Sequence, residues 1–164
     1  FSDRIEEYIP PRRGRNHLLT VIRALLTATP KGRKTDPEVP FKFLNKVMKR
    51  KTLTFFLSDM MFDKLPESLN ITASKHEIVP VGVIDETIFT PLVQGAVKVL
   101  DPETGETSIL DLSIPGLNDM TKFIAAHEAG FKRKGIRPVW IMNRENFMDE
   151  LVNEFKKLSS VRKK

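Results

Sequence analysis

Residues Leu53 to Leu57 form a short, almost unbroken apolar run with no polar face. That pattern predicts a strand buried on both sides, as in a parallel sheet covered by helices. A buried helix segment gives the same run. The run's length, its Phe55-Phe56 pair and the chain breakers downstream favour the strand. It stops abruptly at Ser58-Asp59. A small hydroxyl and a carboxylate then stand at the carboxyl end of a buried parallel strand, where open α/β sheets bind ligands.

The rest of the chain alternates strand and helix patterns around this run. Ile5 to Ile9 alternates weakly up to Pro10-Pro11 and predicts a short strand at a sheet edge. A helix follows from about Asn16, with Leu18, Leu19, Ile22, Leu25 and Leu26 on one stripe, closed by Pro30 and Gly32. Thr35 or Asp36 is the expected cap of the next helix, with Pro37 in its first turn and Phe43, Leu44, Val47 and Met48 as its buried stripe.

Residues 60–74 read as a loop and a helix, with Pro66 in its first turn. Ile78 to Asp85 reads as a second buried strand ending in a carboxylate, although Pro80 removes one ladder donor. Residues 86–94 read as a loop. Residues 96–100 and 107–112 alternate around Asp101-Pro102-Glu103-Thr104-Gly105, a hairpin signal.

A helix is expected after Pro115-Gly116, with Leu117, Met120, Ile124 and Phe131 near one face and Gly135 as its stop. Arg137 to Met142 predicts a further parallel strand. Asn143 is the expected cap of a last helix carrying Phe147, Leu151, Phe155 and Leu158. This order predicts an α/β layered domain.

The chain of 164 residues is long enough for one domain with a sizeable core. No apolar run approaches the roughly 18 residues of a membrane helix. The chain opens at Phe1 as if in mid-element, and it is expected to be a fragment. The absence of cysteine excludes disulfides, thiol nucleophiles and cysteine metal sites, and it fits a reducing compartment such as the cytoplasm. The net charge of +6 permits an anionic partner. The cations fall in separate clusters, among them Arg12 to Arg15, Lys31 to Lys34, Lys46 to Lys51 and the tail Arg162 to Lys164. Solvated faces explain such clusters, and no nucleic-acid motif or exposed aromatic pattern accompanies them.

Thr35 and Asp59 stand out as hard oxygen donors, each in a loop next to the start of a helix or the end of a strand, and suited to magnesium, which keeps several waters and takes few protein ligands. The alternative is that both merely cap helices. Asp59 and Asp85, at the ends of neighbouring strands, form a second pair that could hold a metal for phosphoryl chemistry. No glycine-rich phosphate loop accompanies them, and the alternative is that both are plain loop carboxylates. His17, His76 and His127 lack metal-ligand spacing and read as structural or exposed.

Ile9-Pro10-Pro11-Arg12-Arg13-Gly14-Arg15-Asn16-His17, Lys34-Thr35-Asp36-Pro37 and Phe55-Phe56-Leu57-Ser58-Asp59 together resemble a bacterial family of proteins of unknown function, the fifty-eighth of that series. That family lies in the von Willebrand factor type A superfamily. The hairpin around Asp101 to Gly105, preceded by Val97 to Leu100, is similar to it as well.

The resemblance implies a three-layer, mostly parallel α/β sheet of von Willebrand factor A type, incomplete, with an inserted β-hairpin, over residues 1–164. It implies that Thr35 and Asp59 are two ligands of a metal-ion-dependent adhesion site. The Asp-x-Ser-x-Ser loop that supplies the other ligands is absent, as is the first strand. Mg2+ is therefore expected in the full-length protein at most, with none bound by this fragment.

The missing strand would leave one edge of the Leu53-to-Ser58 strand open. The fragment is then expected to form a homodimer through that edge, or to cover it with Ile5 to Ile9. The implied role is a protein-protein interaction module beside a MoxR-type AAA+ ATPase. The alternatives are a magnesium-dependent phosphohydrolase using Asp59 and Asp85, or a basic nucleic-acid-binding domain.

Overall fold

The computed structural model describes residues 1–32, 34–62, 64–85, 95–100, 105, 107–111, 119–142, 148–149, 152–153 and 156. Strand β1 (Leu53–Ser58) follows helices α1 (Arg15–Thr27) and α2 (Glu38–Val47). Helix α3 (Ser68–Lys75) connects it to β2 (Glu77–Val83). Strands β3 (Ala96–Leu100) and β4 (Thr107–Asp111), helix α4 (Met120–Arg133) and β5 (Val139–Ile141) complete the order.

The main sheet has the order β1-β2-β5 and is parallel throughout. Phe55 lies opposite Val79, and Val81 opposite Val139. Strands β3 and β4 form a separate antiparallel hairpin with Ala96 opposite Asp111. The molecule is thus an incomplete, Rossmann-like α/β fold with a separate hairpin, the class that the alternation predicts.

Because successive side chains of a strand point to opposite faces, one face of β1 and β2 presents Phe56 and Ile78. There they join Phe41 of α2, Leu69 of α3, Phe131 of α4, and Met60 and Ile136, all buried. The Phe41 and Phe56 rings are 4.7 Å apart. Val79, Val81 and Val139 form a second buried cluster, with Ile141 against it.

Two glycines set the packing around β5 and α4. A Cβ on Gly82 would lie 2.3 Å from the Trp140 ring, so only glycine lets the indole lie over β2. Gly135 takes φ +71° and turns the chain out of α4. The Ile136 N–H then donates to the Phe131 carbonyl at 3.0 Å, and both side chains enter the core. Asp119 caps the other end by accepting the Lys122 N–H at 3.1 Å.

Pro80 sits inside β2, yet the ladder to β5 begins only at Val81. The short partner strand thus avoids the position that lacks a donor.

Two expectations are corrected. Ile5 to Ile9 is not a strand; it runs as irregular chain. Glu6 within it and Ser2 before it bond to a loop instead of a sheet. The run from Leu53 to Leu57 is a strand, but only one face is buried. Phe56 is 6% exposed, whereas Leu57 is 61% exposed, because β1 is the outer strand of the sheet. Helix α1 forms where its stripe predicts, and it buries no residue: Leu18, Leu19, Ile22, Leu25 and Leu26 are exposed along its length.

The loop at 86–94, the turn at 101–104, Leu117, and the cap and apolar residues expected of the last helix (Asn143, Phe147, Leu151, Phe155 and Leu158) lie outside the described residues. Met148, Asp149, Val152, Asn153 and Lys156 are helical.

Candidate functional site

Asp59 leaves the carboxyl end of β1 in a tight turn. Its Oδ1 accepts the Met61 N–H at 3.0 Å, and the Ser58 hydroxyl accepts the Met60 N–H at 3.0 Å. Met60 is held in the left-handed region at φ 60°, a conformation few non-glycine residues adopt. Its side chain is fully buried, which anchors the turn. With Met60 pinned inward, the Asp59 carboxylate is left exposed at the rim.

Thr35 is also exposed, in the loop that enters α2. That loop is clamped from both sides by the start of the chain. The Glu6 carboxylate accepts N–H groups from Gly32 at 2.7 Å and Lys31 at 3.1 Å, together with the Ser2 hydroxyl. The Ser2 carbonyl accepts the Asp36 N–H at 3.3 Å. A Cβ on Gly32 would sit 2.1 Å from the Ser2 Oγ and 2.8 Å from its Cβ, so the two segments meet backbone to side chain. Donation from the Ser2 hydroxyl, then from the Gly32 and Lys31 amides, lowers the Glu6 pKa to about 2. Phe1 stacks on Phe56 at 5.7 Å and fixes this segment against β1.

Glu38 ties the first turn of α2 to the segment after β1. Burial works against its ionisation, but hydrogen bonds from Ser68 and from the Glu67 N–H outweigh it and hold the carboxyl below its ordinary range. Asp36 and Glu38 share one open cavity with Phe62, Lys64 and Ser68. The entry to α2 therefore lies against the segment that leads from β1 into α3.

Asp85 lies two residues beyond β2 and is exposed. Because Ser58 pairs with Gly82, Asp59 and Asp85 follow neighbouring strands, as the sequence predicts. His76 is buried, with Nδ1 3.0 Å from the Thr52 hydroxyl. His127 bonds the Phe123 carbonyl at 3.0 Å and packs among the Phe62, Phe123 and Trp140 rings. Both have the structural role expected of them. His17 is half-buried on α1.

Thr35 and Asp59 are hard donors of the kind magnesium takes. They fit such an ion in kind but make only two protein ligands. Among the described residues no group of three or more His, Asp or Glu side chains is placed to hold a metal. Sequence reasoning missed Ser2, Glu6 and Gly32. Only the glycine carried a signal, since the partners are separated by 25 and 26 residues.

Fold and rim together define an incomplete Rossmann-like α/β domain with an exposed acidic turn where its parallel sheet ends. Residues 1–128 match the protein family of unknown function DUF58, and the chain belongs to that family. Comparisons with curated proteins and with solved structures gave no match. Among the described residues no helix is long and apolar enough to cross a membrane.

Proposed function

We propose that this chain is a protein-protein interaction module of von Willebrand factor A type, acting in the cytoplasm with a MoxR-type AAA+ ATPase. Thr35 and Asp59 form the remnant of its metal-ion-dependent adhesion site. One observation supports the reading: the turn at Ser58 to Met61 leaves the Asp59 carboxylate exposed beyond β1, and the entry to α2 lines one cavity with the segment that follows that turn. Membership of the DUF58 family supports it.

In this reading Thr35 and Asp59 supply two oxygens to Mg2+, and the remaining ligands come from outside these residues. When bound, the ion supplies a Lewis-acid centre for a partner carboxylate. The chain's own work is to hold Thr35 through the Ser2 and Glu6 clamp, and Asp59 through the buried Met60. No bond of the partner is made or broken. A second copy is a further partner, through the outer edge of β1. An antiparallel pairing centred on Phe55 would set Lys51 of each copy against Asp59 of the other.

Titration with Mn2+ tests the metal site. The amides of residues 34–36 and 58–61 broaden before all others, and Asp59→Ala abolishes the effect. Broadening centred elsewhere would remove the assignment.

A further inference from the structure

We propose that the cleft between α3 and α4 is a binding site for a small phosphate-bearing ligand. Its cavity of about 450 Å3 is lined by Lys64, Asn70, His127, Arg133 and Lys134 over a floor of Leu65, Ala126 and Gly130. That volume suits a compact ligand (small-molecule sites span about 300–1,000 Å3).

The charge is one-sided. Three permanent cations and an imidazole line the cavity, and among the described residues no carboxylate does. The ion pairs of the described residues involve Arg4, Lys42 and Lys122, and none involves Lys64, Arg133 or Lys134. A helix C-terminus attracts cations by itself, which accounts for basic residues in the last turn of α4. It does not account for Lys64, which comes from the loop before α3, or for Asn70 on α3.

Two carbonyls at the end of α4 also have backbone donors already. The Phe131 carbonyl accepts from Ile136 and the Lys132 carbonyl accepts from Gly135, both at 3.0 Å. The cations thus face the cavity instead of the helix carbonyls.

Gly130 and Leu65 meet on the cavity floor. A Cβ on Gly130 would lie 2.9 Å from the Leu65 Cδ1, and the Arg133 guanidinium lies 3.9 Å from the same point. Lys134 Nζ donates to Asn70 Oδ1 at 2.6 Å, which fixes one ammonium across the gap between the two helices. The planar fork of an arginine flanked by two lysines matches the oxygens of a phosphate group. His127 Nδ1 is engaged by Phe123, which leaves Nε2 as the ring's other polar atom.

Calorimetric titration with inorganic pyrophosphate tests the site. The expected result is saturable one-to-one binding, weakened about tenfold or more by Arg133→Ala and by Lys64→Ala. Ala126→Glu, which adds a carboxylate to the lining on a helical position, abolishes it. A Lys49→Ala/Arg50→Ala variant in a separate basic cluster retains it. Equal loss in that control, no saturation by the wild-type chain, or full binding by Ala126→Glu would overturn the proposal. So would tighter, length-dependent binding of single-stranded oligonucleotides that the Arg133 change leaves untouched. Circular dichroism of each variant confirms that the fold is retained.

Discussion

The Glu6 carboxylate accepts the Gly32 N–H at 2.7 Å, joining the chain's opening segment to the loop that carries Thr35. Its pKa is lowered to about 2 by the Ser2 hydroxyl and the two loop amides. A carboxylate stabilised in the folded state supports the fold above its unfolded pKa, near 4.5, and that support is lost as pH falls through the folded value. The Gly32 amide resonance should therefore titrate with a midpoint of about 2 and be flat in Glu6→Gln. A midpoint near the ordinary value would mean that the clamp does not form in solution.

Gly82→Ala tests the packing of β5 on β2. The new methyl would stand 2.3 Å from the Trp140 ring, inside a paired strand. The cost is about 3 kcal/mol, since overpacking inside a core displaces side chains from their rotamers. Urea unfolding should show the lower midpoint. The chain's single tryptophan should report the displaced indole through its emission before any denaturant is added.

Met60 sets two requirements against each other. Its side chain is fully buried, so Met60→Ala should cost about 3 kcal/mol. Its φ of 60° suits glycine, so Met60→Gly should recover about 1 kcal/mol of that loss. Glycine is thus the better tolerated of the two, the reverse of the usual order. Denaturation curves ranking alanine above glycine would contradict the left-handed turn beside Asp59.

The open edge of β1 makes a prediction about assembly. Leu57 is exposed on that outer strand. Light scattering should find a dimer, and Leu57→Lys should return it to monomer, because a charge on an edge strand blocks further pairing. A wild-type chain that is monomeric at all concentrations would exclude edge pairing.

The parallel strands were legible because apolar runs of strand length ended in turn residues, and α4 because its apolar stripe ran up to Gly135, whereas its Asp119 cap was not read from the sequence. The placement of Asp59 followed from the run before it. The Thr35 clamp was not legible. Glu6 and Gly32 meet across 26 residues, and a weak alternation at Ile5 to Ile9 looked the same as an edge strand. The burial of Leu53 to Leu57 was overestimated for a related reason. An apolar run shows what a strand can bury, but the number of neighbours it finds is set by the rest of the sheet.

The exposed stripe of α1 reaches into the thermodynamics of the whole chain. Its leucines meet water in the native state, so melting adds little new hydration there. The heat-capacity step on unfolding is correspondingly smaller than chain length alone would give, and the curve of stability against temperature is flatter. Whatever covers that stripe would steepen it.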